Sequence, residues 1–102
     1  MREVLLSHDG PVGIYRVPDP VAEHLEAYCL EFSMHWIWET PEGARLLRTI
    51  GGQAVALYGA QDFIDYLNAW VFPQEPSFLV RELDWYDYEL PEAYADFPRF
   101  NF

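Results

Sequence analysis

Val12-Gly13-Ile14-Tyr15-Arg16-Val17-Pro18-Asp19-Pro20-Val21-Ala22-Glu23-His24-Leu25 is the stretch in which the spacing of apolar residues changes period. Up to Val17 the pattern has period two. Val12, Ile14 and, less cleanly, Arg16 share one face while Tyr15 and Val17 share the other, which predicts a strand covered on both sides. Pro18-Asp19-Pro20 stops that strand and starts a helix: Asp19 is placed to cap free amides, and Pro20 fits a first helical position, where its missing N–H costs nothing. Glu23 and Glu26 then lie near the positive end of the helix dipole. The helix is expected to run to about Glu39, because Thr40 precedes Pro41 and is pushed out of the α region.

Along that helix Val21, Leu25, Tyr28, Cys29, Phe32 and Trp36 recur at spacings of three and four, one buried stripe. Leu30, Met34, Ile37 and Trp38 form a second apolar set on the opposite side. One sheet covers one side of a helix, so the second set calls for another partner: the C-terminal segment, a second helix or another copy of the protein.

Upstream, residues 3–6 and 12–17 read as a hairpin across His8-Asp9-Gly10-Pro11. Downstream, Thr40-Pro41-Glu42-Gly43 repeats the cap-then-proline start. Ala44–Arg48 reads as a short helix ending before Gly51-Gly52, with Leu46-Leu47 equally good as strand. Gln53–Tyr58 reads as a strand. A second helix opens near Asp62 and ends at Phe72-Pro73, with Phe63, Ile64, Tyr66, Leu67, Trp70 and Val71 on its apolar face. Ser77 to Tyr88 reads as the last strand, but its alternation slips, and a bulge or bend near residues 82–85 reconciles the two halves. The order is β-β-α-(α)-β-α-β. It predicts a small two-layer α+β domain, a three- or four-stranded, mostly antiparallel sheet with two main helices on one face. No repeat or second domain is visible in residues 1–102, and the aromatic tail, residues 91–102, is expected to dock on the domain or on a partner.

The 102 residues carry 17 Asp+Glu against 6 Lys+Arg, a formal charge of −11, with 18% aromatic residues. So aromatic a chain is not disordered throughout, since disordered chains pair high charge with few aromatics. The charge argues against direct binding of nucleic acid or anionic membrane, both of which need a cationic face. Met1–Asp9 lacks the apolar run of an export signal, and no stretch is long and apolar enough to cross a membrane. Cys29 is the single cysteine and sits on the apolar stripe, where desolvation disfavours a thiolate. A cytoplasmic location is expected from these features.

Candidate chemistry is sparse. Ser7-His8-Asp9 names the residues of a hydrolase triad, but sequential side chains in a turn diverge where a triad must converge. Glu31, His35 and Glu39 follow at i, i+4, i+8 and supply at most two neighbouring metal ligands, with no further His close enough to complete a site. An exposed stripe of carboxylate–imidazole pairs is the plainer reading. All six basic residues are arginine, so a phosphate-binding P-loop and Schiff-base chemistry are both excluded. No cofactor is expected.

The charge map carries more content. From Val17 to Ala44 there are six acids and no base; from Asp62 to the end there are nine acids and two arginines. In the second block Glu82, Asp84, Asp87, Glu89, Glu92 and Asp96 alternate with Trp85, Tyr86, Tyr88, Tyr94 and Phe97. Such a surface attracts basic protein surfaces and offers aromatic anchors. The expectation is a non-enzymatic protein–protein interaction module, a homodimer or a binder of a basic partner, with nucleic-acid mimicry as its sharper form. Its contact residues are Met34, Ile37, Trp38, Glu82, Asp84, Trp85, Tyr86, Asp87, Tyr88, Glu89, Tyr94 and Phe97. The alternative is a small enzyme or ligand-binding domain whose pocket uses His35, Glu31 and Glu39 or buried aromatics.

Overall fold

The computed structural model describes residues 1–102 and shows a small α+β domain built on a four-stranded sheet. Strands β1 (Arg2–Ser7) and β2 (Pro11–Val17) form an antiparallel hairpin at its centre. After the helical stretch come β3 (Leu47–Ile50) and β4 (Gln53–Ala56), then β5 (Phe78–Tyr86) and β6 (Arg99–Asn101). The sheet order is β5-β2-β1-β6, with β5 antiparallel to β2 and β6 parallel to β1.

The first helical stretch is segmented. Helix α1 (Asp19–Glu23) has Pro18 at its cap with no side-chain cap bond. Asp19, expected to cap the helix, is instead its first residue and pairs with the Met1 amine at 3.0 Å, and Pro20 takes the second position. His24, at φ −130 and ψ 42, separates α1 from α2 (Leu25–Leu30). A π-helical turn (Glu31–Trp36) and a last turn, α3 (Ile37–Glu39), complete it, ending at an extended Thr40 ahead of Pro41. The second helix is α4 (Ala60–Tyr66), continued by a π turn (Leu67–Val71). The Asp62 carboxylate accepts the Gly59 N–H at 2.9 Å and so satisfies a donor left free at the start of α4.

Both helices cover one face of the sheet. Val4, Leu6, Tyr15 and Val17 meet Val21, Leu25, Cys29, Phe32, Trp36, Phe63, Ile64 and Leu67 there in the main core. Phe32 lies at its centre, with ring centroids 5.2 to 5.6 Å from Tyr58, Phe63 and Tyr66. The other face of β2 is also covered: Leu5, Val12, Ile14 and Leu83 form a second, smaller core under Leu90, Tyr94 and Phe97. The chain therefore leaves β5 at one edge and passes across this back face through two 3-10 turns (Asp87–Glu89 and Glu92–Tyr94). It returns as β6 at the opposite edge. Phe100 and Phe102 then pack on the main core, and Asn101 accepts the Asp9 N–H at 3.0 Å and the Ser7 hydroxyl at 3.1 Å.

Two expectations are corrected. The segment Gln53–Tyr58 does not join the main sheet: Gln53–Ala56 pairs with Leu47–Ile50 as a separate two-stranded hairpin. Ala44–Arg48 is not a helix but a 3-10 turn, Gly43–Leu46, running straight into β3. Gly51 and Gly52, at φ +59 and +81, are the tight turn of that hairpin, a geometry that favours glycine at both central positions. A second glycine is fixed by contact. A Cβ on Gly43 would lie 2.3 Å from the Trp36 carbonyl oxygen, because the 3-10 turn folds back against the end of the helix.

Candidate interaction surface

Strand β5 is an edge strand of nine residues in which Leu83 alone is buried. Two irregularities set its shape. Tyr15 pairs with Leu79 and Ile14 with Arg81, leaving Val80 unpaired; Gly13 pairs with Glu82 and Pro11 with Tyr86, so residues 83–85 lie opposite Val12 alone. The second irregularity falls where the sequence alternation slips. It lets Leu83 reach the back-face core while its neighbours Asp84 and Trp85 face solvent.

The strand is held firmly at both ends. The Asn68 side chain accepts the Ser77 N–H at 2.6 Å and donates to the Ser77 carbonyl at 3.0 Å, tying the strand's approach to the second helix. At the far end the Tyr86 N–H donates to Glu89 at 3.2 Å, and the Tyr86 and Tyr88 rings stack with centroids 5.8 Å apart. Between them Arg81 donates to the Tyr94 hydroxyl at 3.1 Å, which fastens the crossing segment beneath the strand.

The structure sorts the expected contact residues into four sets. Glu82, Asp84, Trp85, Tyr86, Tyr88 and Glu89 are exposed together on and just after β5; Tyr88 is 84% exposed and Trp85 44%. Asp87 sits beside them, half-buried and 3.8 Å from Arg99. Tyr94 and Phe97 turn the other way and cover the back-face core. Met34 and Trp38 are exposed on the first helical stretch, where the Trp38 indole N–H donates to the Ser33 carbonyl at 3.1 Å. No aromatic pairing or ion pair joins them to the β5 group. Ile37 is corrected outright: it is 0% exposed and belongs to the main core. The π turn is the reason. The Ile37 N–H reaches back five residues to the Phe32 carbonyl, and the extra residue rotates the next turn of the helix, bringing Ile37 inward beside Trp36.

Sequence reasoning missed Phe78, Leu79 and Val80, which are 39 to 50% exposed at the start of β5. Their run of strand-forming residues signals a strand, and only the sheet order reveals it to be an edge. With Trp85 and Tyr86 they make an apolar margin interrupted by Arg81, Glu82 and Asp84.

The groups with possible acid–base or metal chemistry do not converge. His35 Nδ1 meets Glu39 at 2.8 Å in an exposed pair, and no group of three His, Cys, Asp or Glu side chains is placed to hold one metal ion. Glu31 borders a shallow depression of about 170 Å3 with Tyr28 and Tyr66. Burial, with the Glu31 charge second, raises the Tyr66 phenol above its ordinary value. Burial likewise raises Tyr58, and raises Tyr15 with the Glu82 charge adding to the effect. The buried Cys29 thiol is pushed far up, which makes it a poor nucleophile. Ser7, His8 and Asp9 form no triad: Ser7 and Asp9 both bond Asn101, while the His8 ring turns away to bond the Tyr58 carbonyl and stack on the Tyr58 ring. No helix is long and apolar enough to cross a membrane. The chain matches no protein-family model, no curated protein and no solved structure.

Proposed function

We propose that the protein is a non-enzymatic interaction module that binds a basic protein surface through the β5 face, and that it acts in the reducing cytoplasm, where its one buried thiol stays unpaired. A single observation carries the reading: a nine-residue edge strand buries one side chain and presents Trp85 and Tyr86 to solvent between Glu82, Asp84 and Glu89. Large rings of this kind supply most of the energy when a partner excludes water from them, and the surrounding carboxylates select a partner of opposite charge. The two bulges discourage simple extension of the sheet by another strand, so recognition falls to side chains. The test is a photo-crosslinking residue at Tyr86, compared in cells with the same residue at the exposed Glu26 of α2. A discrete adduct from position 86 and none from position 26 supports the assignment. Equal labelling from both positions, or none from either, refutes it.

A further inference from the structure

We propose that the basic surface received by the β5 face is the β3–β4 hairpin of a second copy of this chain, together with the 3-10 turn that leads into it and carries Arg45. The proposal rests on the reading of β5 as an interaction face and adds its occupant.

Residues 43–61 are the one long segment without a carboxylate in a chain of net charge −11, and they contain Arg45 and Arg48. Both arginines are exposed, and neither forms an ion pair; of the six arginines only Arg99 does. The Arg48 guanidinium instead donates to the Arg45 and Leu47 carbonyls of its own backbone, at 2.8 Å each. In a chain with 17 carboxylates, that leaves a basic element unsatisfied within its own molecule.

The shape suits insertion. Every residue from Arg48 to Ala54 is exposed, so the ribbon projects from the body, with its two strands already paired from Leu47–Ala56 to Ile50–Gln53 about the Gly51-Gly52 turn. Little ordering entropy is then lost on docking. Ile50, 57% exposed, and Leu57, 54% exposed, provide apolar contacts beside the arginines. The β5 margin offers the complement: Val80, Trp85 and Tyr86 for the apolar side chains, and Glu82 and Asp84, which have no cationic partner in their own chain, for Arg45 and Arg48. The contact joins two different surfaces. It therefore either closes reciprocally into a dimer or propagates as a longer assembly.

Two copies of charge −11 repel at long range, so the measurement belongs at about 0.15 M salt, where interactions beyond roughly 8 Å are screened and contact pairs survive. Sedimentation velocity across a concentration series is expected to show reversible self-association. The double variant Arg45→Glu/Arg48→Glu is expected to weaken it by about tenfold or more, as is Glu82→Arg/Asp84→Arg, and mixing the two variants is expected to restore association between them. A wild-type chain that stays monomeric, or double variants that associate as wild type does, overturns the proposal. Thermal melts check that the variants fold. The Tyr86 crosslink separates the two readings. An adduct to residues 45–57 of an isotopically distinct copy supports the proposal. An adduct to another basic protein overturns it and leaves the β5 face standing, and no adduct removes both.

Discussion

Replacing Gly43 by alanine tests how the 3-10 turn is seated against the end of the first helix. The added Cβ would lie 2.3 Å from the Trp36 carbonyl oxygen, 2.6 Å from the Ile37 Cα and 2.8 Å from the Trp36 carbonyl carbon. All three are backbone atoms, so no side chain can rotate away and the turn itself must move. Movement strains a compact set of bonds: the Thr40 hydroxyl donates to the Trp36 carbonyl at 2.7 Å and accepts the Gly43 N–H at 3.0 Å, and Ala44 N–H donates to the Thr40 carbonyl at 3.1 Å. Overpacking of this kind costs roughly 1–3 kcal/mol. Losing one or two of the hydrogen bonds adds about 0.5–1.5 kcal/mol each. Alanine also restricts the unfolded chain, which offsets roughly 0.4–1 kcal/mol. At the middle of these ranges the net destabilisation is about 3 kcal/mol, a fall in Tm of roughly 12–24 °C for a domain near this size. Circular dichroism melts measure it, with Gly59→Ala as control, since a Cβ there meets nothing within 4 Å. A Tm for Gly43→Ala equal to or above wild type would refute the close approach, because the unfolded-state effect would then be acting alone.

Asn101→Ala should detach the C-terminal strand from the β1–β2 loop, orphaning the buried Ser7 hydroxyl and the N–H of Asp9, which is held at φ +57. The expected cost is about 1–3 kcal/mol in chemical denaturation, and an unchanged midpoint would show that Asn101 does not lock the loop. Stability should also fall in alkali. Tyr15, Tyr58 and Tyr66, ordinarily at 10.0, and Cys29, ordinarily at 9.0, are all raised in the folded chain. The native state thus keeps protons that the unfolded state has released. Stability is full below those ordinary values and is lost as pH rises through the raised ones. Urea midpoints at pH 8 and near pH 11 check the sign; equal midpoints would contradict it. Cys29 should react with a thiol reagent at pH 8 only on the timescale of unfolding.

The features read correctly from local sequence share a cause. Pro18 and Pro20 end a strand and begin a helix through constraints on their own backbone, and the stripe Val21, Leu25, Cys29, Phe32, Trp36 is buried because helical spacing puts those residues on one side. The double face of β2, and the register break in β5 near residues 82–85, were likewise legible as alternation and its slip. The Gly51-Gly52 turn was not legible as a hairpin: the cap-then-proline pattern at Thr40–Pro41 favours a short helix, with the two glycines as its end. Ile37 was not, because whether a turn holds four or five residues depends on packing. Of the candidate interaction surface, the alternation of acids and aromatics after Arg81 was readable, but it did not separate the outward Trp85, Tyr86 and Tyr88 from Tyr94 and Phe97, which cover the back-face core.

The order of elements, their apolar faces and the acidic bias of the C-terminal third follow from residue spacing and from Pro and Gly, whose effects reach only a few positions along the chain. Other features needed the whole molecule: that β5 is an edge, that β6 pairs parallel with β1 across more than ninety residues, and that Leu47–Ala56 stands off the sheet as a hairpin carrying the unpaired Arg48, with the unpaired Arg45 in the turn just before it. Each reflects competition among distant apolar surfaces for the same sheet faces and edges. That competition is settled by closing long loops around a shared core, and no local pattern records its outcome.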